Sequence, residues 1–319
     1  MKIVIYDQLL PIGEDVTAAI RQVAPSATVV VPPEDQLSEQ LKDAEIFFGY
    51  YGTEVFHEAK KLKWIQATAA GMEQFLDEGM TKLDLTITNA SGVHAIQVAE
   101  SAWALTMAIA RGLPTYLRQQ QEHVWKWGSH YDLADATAGI VGMGGIGRCY
   151  ARVAAALGMQ VIAVDAHSPP KPDEVEAIWK LDQLDQLLET ADVVLMSCPH
   201  TPETHHLIDR RRLALMKPTA ILVNIARGGI VDEEALAEAL RAGRLAGAGI
   251  DVCEEEPLPP ESPLWDVPNL IITPHCAGLS SHRTRRLTKF FCENLQCYLA
   301  GESLRNVVDQ VKGYPIPTG

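Results

Sequence analysis

The chain has 319 residues, 47% of them hydrophobic and 21% charged, and carries a net charge of −14. That balance describes an ordinary soluble globular protein rather than a disordered one, and the length favours two domains over a single core. The acidity argues against nucleic-acid partners, which need clustered Lys and Arg; the one compact basic stretch, Arg283 to Arg286, reads as an exposed helix face.

The chain opens with KIVIYD, a strand over 2–7. No basic segment leads into a long apolar one, so no signal peptide is expected, and no run of 18 apolar residues predicts a membrane span. Helical spacing follows from Glu14 to Ala24. ATVVVP, EIFFGYY, KWIQATAAG and LTITNASG read as strands, with SEQLKDA and VFHEAKKL as helices between them. Strands separated by helix-length segments imply a parallel sheet with helical crossovers. From Ala95 to Arg111 a long helix is expected, apolar nearly all round and therefore buried, with Pro114 as its stop. A polar segment containing Trp125 and Trp127 then leads into six apolar runs: TAGIVG, MQVIAVD, ADVVLMSC, AILVNIA, LAGAGIDV and NLIITPH. Each reads as a parallel strand. Ser280 to Leu299 reads as a last long helix, placed back on the first domain.

The expected fold is α/β, with two doubly wound parallel-sheet domains. A Rossmann-type cofactor domain, 101–283, is inserted into a smaller flavodoxin-like substrate domain, 1–100 and 284–319. The six cysteines are scattered without metal-ligand spacing, which suits reduced thiols in a cytoplasmic protein and no metal.

The six runs end in Gly142, Asp165, Cys198, Arg227, Asp251 and His275. In an open parallel sheet ligands lie outside the carboxyl ends of the strands, so these residues should converge on one edge. Gly142, Gly144 and Gly147 form G-x-G-x-x-G between a strand and an Ala-rich helix, the pattern that lets backbone approach a pyrophosphate at a helix N-terminus. Gly145 and Ile146 lie inside it. Asp165, 18 positions after Gly147, closes the next strand, where a carboxylate can accept from a ribose 2′-OH. A 2′-phosphate would meet a like charge there, which favours NAD over NADP, although His167, Ser168 and Lys171 are close by.

The other ends suit hydride transfer between a nicotinamide and a 2-hydroxy acid. Arg227 offers a two-pronged donor for a carboxylate and carbonyl. His275 can exchange a hydroxyl proton near neutral pH. Glu256 can pair with that imidazole, and Asp251 ends a strand beside the expected nicotinamide site. Bland readings exist: Arg227 as a turn cap, and Glu254 to Glu256 as a solvated charge run, from which position alone selects no member. His205 and His206 read as solvated loop residues.

NIARGGIVDEEAL, GAGIDVCEEEPLP and NLIITPHCAG resemble the D-isomer-specific 2-hydroxyacid dehydrogenase family, and the resemblance covers nearly the whole chain. It implies NAD-dependent, reversible reduction of a 2-oxo acid, with Arg227 as carboxylate binder, His275 as acid/base and Glu256, rather than its neighbours, as its support. It also implies cofactor contacts from Cys198, Pro199, Ile225, Ala226, Arg227, Asp251, His275 and Gly278. Substrate contacts are implied from Tyr50, Tyr51, Ala70 and Gly71, and the assembly implied is a homodimer around the long helix and the two tryptophans. His94 and Ser101 depart from the family's usual Asn and His. Two other classes share the scaffold: a dinucleotide-sensing corepressor-like protein and a phosphite- or formate-type oxidoreductase.

Overall fold

The computed structural model describes all residues except 9, 73, 74, 78, 311, 312 and 316–319. The chain divides into two compact units, Met1–His94 with Ser280–Gly319, and Ala95–Leu279.

The first unit starts with β1 (Lys2–Asp7), α1 (Glu14–Val23), β2 (Thr28–Val30), α2 (Leu37–Leu41), β3 (Ile46–Tyr50), β4 (Trp64–Ala67) and β5 (Thr86–Thr88). All four pairings are parallel, in the order β2-β1-β3-β4-β5. This is the flavodoxin-like doubly wound order. VFHEAKKL is not an α-helix. A short 3-10 segment, Thr53–Phe56, leads into tight turns in which Ala59 N–H donates to Phe56 O and Leu62 N–H to Ala59 O. The buried residues Phe56, Ala59 and Leu62 recur every third position, which a three-residue turn puts on one face and a 3.6-residue helix does not.

The second unit begins with α3 (Ala95–Ala110) and α4 (Leu113–Gln121). Pro114 does not stop α3. Gly112, at φ 67, breaks it, and Pro114 lies in the first turn of α4, where its missing N–H costs no hydrogen bond. Then come β6 (Thr137–Val141), α5 (Gly145–Ala156), β7 (Gln160–Val164), β8 (Ala177–Trp179), α6 (Leu184–Thr190), β9 (Val193–Met196) and α7 (Arg210–Leu213). They are followed by β10 (Ile221–Asn224), α8 (Glu233–Arg241), β11 (Gly247–Ile250) and β12 (Leu270–Ile272). The sheet is parallel throughout, ordered β12-β11-β10-β9-β6-β7-β8. All six apolar runs are strands. β8 is an added edge strand of three half-buried residues, too short to show a hydrophobic pattern. The direction in which successive strands are added reverses between β6 and β9, and the crevice outside that switch point is where such sheets take ligands.

The chain returns to the first unit with α9 (Arg283–Ala300), β13 (Val308–Asp309) and β14 (Tyr314–Pro315). Leu287, Phe291 and Leu295 recur at i, i+4 and i+8, and all are buried. Phe291 stacks on Phe48 at 4.3 Å and on Trp64 at 5.2 Å, and Tyr298 stacks on Trp64 at 5.3 Å. Fully buried Trp64 satisfies its Nε1–H with Thr88 Oγ1 at 2.8 Å. The indole is therefore the anchor between α9 and the first sheet. Trp64→Ala is expected to lower unfolding free energy by about 3–5 kcal/mol, measured by denaturant titration, with Trp64→Phe losing less.

Candidate active site

In the second unit the glycine motif sits at the switch point. Gly142, at φ 101, turns the chain out of β6; its N–H donates to Val164 O at 2.8 Å. Ser197 Oγ donates to Gly142 O at 2.8 Å, so the ends of β6 and β9 are tied together. A Cβ at Gly147 would lie 2.3 Å from Gly142 O, so this glycine is what lets α5 approach the turn. Gly144 is different. A Cβ there would meet nothing within 4 Å, and no side chain caps α5. The first turn of a 12-residue helix thus opens on space, with N–H groups and the positive end of its dipole exposed. These features fit a pyrophosphate.

Asp165 closes β7. Its Oδ2 accepts from Met143 N–H and its Oδ1 from His167 N–H, both at 2.7 Å, which fixes the carboxylate with lone pairs still available for a diol. Across the crevice, burial pushes the Cys198 thiol up to about 12, and nearby Asp165 adds to the effect. Cys198 is therefore a neutral packing group and not a nucleophile. Pro199 is exposed beside it.

Ile225, Ala226 and Arg227 follow β10. Asn224, 1% exposed, shapes this turn with both ends of its amide: Nδ2 donates to Arg227 O at 2.8 Å and Oδ1 accepts from Ala226 N–H at 3.1 Å. The role of Asn224 was not read from the sequence, although an Asn directly before a turn is its signal. Arg227 donates from Nη1 to Ala226 O at 2.7 Å.

The loops after β11 and β12 bring a carboxylate and an imidazole together. Glu256 Oε2 is 2.7 Å from His275 Nδ1, and Glu256 Oε1 accepts from Cys253 N–H at 2.9 Å. A carboxylate accepts, so Nδ1 carries the hydrogen and Nε2 is left to give or take a proton. The imidazole is half-exposed, with 49% of its side chain accessible. His275 is itself held at φ 48, with its N–H donating to Asp251 O at 2.7 Å. Asp251 is 2% exposed; its carboxylate accepts from Thr273 Oγ1, Cys276 N–H and Ala277 N–H at 2.5, 3.0 and 2.9 Å. Gly278 lies just beyond, its Cβ direction open.

Glu254 to Glu256 are not a uniform solvated face. Glu256 takes His275, while Glu254 takes His206 Nε2 at 2.9 Å. His206 is thus paired rather than solvated, whereas His205 stays exposed.

In the first unit Tyr50 and Tyr51 end β3 half-buried. Tyr50 packs edge-on against Phe75 at 5.1 Å, and Tyr51 OH donates to Glu34 Oε1 at 2.9 Å. The turn after β4 has an unusual polarity. The carbonyls of Thr68, Ala69 and Ala70 accept from His94 Nε2 at 3.3 Å, Ala90 N–H at 2.8 Å and Asn89 Nδ2 at 2.6 Å. Among the described residues nothing accepts from the N–H groups of Ala69, Ala70 and Gly71. Three carbonyls are thus occupied and three successive amides are left as donors, groups of the kind that bind anions.

The family described as D-isomer specific 2-hydroxyacid dehydrogenase, NAD binding domain, matches residues 103–277. The chain belongs to that family. It is 38% identical over 291 residues to a glyoxylate reductase of Korarchaeum cryptofilum, covering 88% of this chain and 87% of that protein. A D-3-phosphoglycerate dehydrogenase of Methanocaldococcus jannaschii is 33% identical over 97% of this chain, which spans 59% of that relative's length. Among solved structures, a family protein from Aeromonas salmonicida superposes with a TM-score of 0.84 at 30% identity, over 97% of this chain and 99% of that one. An NADPH-dependent glyoxylate/hydroxypyruvate reductase from Sinorhizobium meliloti, in complex with NADP and sulfate, gives 0.85 at 28% identity, over 98% and 99%. This member of the dehydrogenase family thus carries an NAD(P)-binding domain.

The glycines divide the cost of substitution. Gly144→Val is expected to weaken NADH binding more than tenfold, read by fluorescence titration, while the melting temperature stays within a degree or two of wild type, because the added methyls point into open space. Gly147→Val should instead lower the melting temperature, because its Cβ collides with backbone.

Proposed function

We propose that this chain catalyses the reversible reduction of a 2-oxo acid to a D-2-hydroxy acid with NADH, and that residues 101–283 hold the cofactor while 1–100 and 284–319 serve the substrate. The observation that carries this reading is the His275–Glu256 pair at 2.7 Å, held on the strand-end edge that also bears Arg227 and the open glycine cradle. A protein that only sensed a dinucleotide would have no use for an oriented proton donor.

Bound NADH supplies a hydride to C2 of the substrate. His275 Nε2 delivers a proton to the carbonyl oxygen, and Glu256 stabilises the imidazolium that exists before transfer while fixing the ring's orientation. Arg227 binds the substrate carboxylate and polarises the carbonyl with its planar donor set. The amides at Ala70 and Gly71 offer a carboxylate a second set of donors, and Tyr50 and Tyr51 border that turn's strand end. In the oxidative direction Nε2 takes the hydroxyl proton. Gly142, Gly144, Gly145, Ile146 and Gly147 receive the pyrophosphate, and Cys198, Pro199, Ile225, Ala226, Asp251 and Gly278 line the rest of the cofactor.

Asp165 supports NAD over NADP, since a 2′-phosphate would meet its carboxylate. Arg148 and Lys171 are tethered elsewhere: Arg148 Nη2 donates to Pro170 O and Lys171 Nζ to Val175 O, each at 2.7 Å. Six unpaired thiols support a reducing, cytoplasmic setting. A homodimer is supported by the apolar surface of the second unit, where Trp125 is 97% and Trp127 89% exposed beside Leu113 and Leu117. Among the described residues no helix is long and apolar enough to cross a membrane.

The test is NADH absorbance decay over a panel of 2-oxo acids from glyoxylate to phenylpyruvate, repeated with NADPH. One or more acids should react, at least tenfold more efficiently with NADH. His275→Ala should cut kcat by about 10²–10⁴-fold with NADH affinity kept, and Arg227→Ala should also raise KM. Full activity of His275→Ala would remove its assigned role. Light scattering on a sizing column should give a dimer for the wild type and a larger monomer fraction for Trp125→Ser/Trp127→Ser.

A further inference from the structure

The first unit contains a polar chain that the proposed reaction does not use. Asp7 ends β1 and is 8% exposed; Thr68, 2% exposed, donates its hydroxyl to Asp7 Oδ2. His94, half-buried, places Nε2 3.3 Å from the carbonyl of the same Thr68. A carbonyl only accepts, so Nε2 carries the proton, in the neutral and the charged ring alike. Thr68 is thus gripped at its hydroxyl by Asp7, at its carbonyl by His94, and at its own N–H by Gly49 O at 3.2 Å. The next two carbonyls are gripped by Ala90 and Asn89.

The bonds to the three carbonyls each fix a peptide plane, while Asp7 holds the Thr68 side chain. A peptide plane fixed by its carbonyl has its N–H direction fixed as well, because the two are trans across the same rigid unit. The Thr68 carbonyl belongs to the plane whose N–H is that of Ala69, and the Ala69 and Ala70 carbonyls likewise set the amides of Ala70 and Gly71. His94 is the only side chain among the described residues shown bonding the first of these three carbonyls.

We propose that His94 is a positioning residue for the anion cradle at 69–71, acting with Asp7 through Thr68 to aim three successive amides at the substrate carboxylate. The inference rests on the reading of Ala70 and Gly71 as a carboxylate site. It assigns His94 to substrate affinity and not to proton transfer. Burial first, then the nearby charges of Arg283 and Arg286, pull its pKa below the usual histidine range.

The experiment compares wild type, His94→Ala and His94→Gln, whose amide puts an N–H donor as many bonds from Cβ as imidazole Nε2. For the 2-oxo acid that reacts best, His94→Ala should raise KM about five- to tenfold, the scale of one lost hydrogen bond. Its kcat should stay within twofold, and its NADH affinity should not change. His94→Gln should restore most of the KM. Amide exchange at Thr68 and Ala90 should quicken in His94→Ala and recover in His94→Gln. Unchanged KM in His94→Ala, or a His94→Gln variant no better than His94→Ala, overturns the proposal. If wild type reduces no acid, the proposed function fails instead. The exchange data and oxamate binding to the NADH-loaded protein then decide on the cradle alone, with unchanged exchange and unchanged oxamate affinity in His94→Ala overturning it.

Discussion

The carboxylate of Asp251 is the constraint on which the strand-end edge of the second unit depends. A buried charge is tolerated only where hydrogen bonds replace its water, and Asp251 finds them in the Thr273 hydroxyl and the amides of Cys276 and Ala277. Those donors bracket His275, while the carbonyl of Asp251 holds the His275 N–H. One residue therefore grips the loop before, at and after the imidazole. A histidine at φ 48 is uncommon, and it persists where its surroundings over-determine it. The strain is local, and the benefit is that the ring is delivered to Glu256.

Close backbone approach does the remaining alignment. A Cβ at Gly228 would lie 1.9 Å from the carbonyl carbon of Cys253, so the turn bearing Arg227 packs directly on the loop bearing Glu256. No side chain separates them. The guanidinium and the carboxylate that orients the histidine are consequently parts of one packed assembly. His206 extends it, because its N–H donates to Gly229 O at 2.7 Å while its ring takes Glu254. Glu233 accepts from Glu254 N–H at 2.6 Å on the far side, and burial raises its pKa. Three consecutive glutamates thus serve different purposes: one orients a histidine, one locks the loop, and Glu255 remains exposed.

Periodicity and punctuation made most of the architecture legible. The six apolar runs had strand length, so the parallel sheet, and with it the set of residues at its strand ends, could be read from them. Where reading failed, the failing signal was local. VFHEAKKL has helical composition, but Phe56, Ala59 and Leu62 face the core every third residue. Pro114 reads as a stop, yet proline in a first turn starts a helix as readily as it ends one. β8 is too short to carry a period.

By itself the sequence determined the glycine turn between β6 and α5 and the identity of the groups at each strand end, because glycine spacing and strand-end position are local properties. It could not determine pairing. That Glu256 and not Glu254 meets His275, that Asn224 spends its amide on the Arg227 turn, and that Asp251 braces a loop some 25 residues away are outcomes of parallel register, which sets β11 beside both β10 and β12. The same holds for His94 and Asp7, which meet on Thr68 only once β1 and β4 lie on either side of β3 in one sheet. Chemistry-bearing residues can be chosen locally, whereas their hydrogen-bond partners are chosen by the sheet.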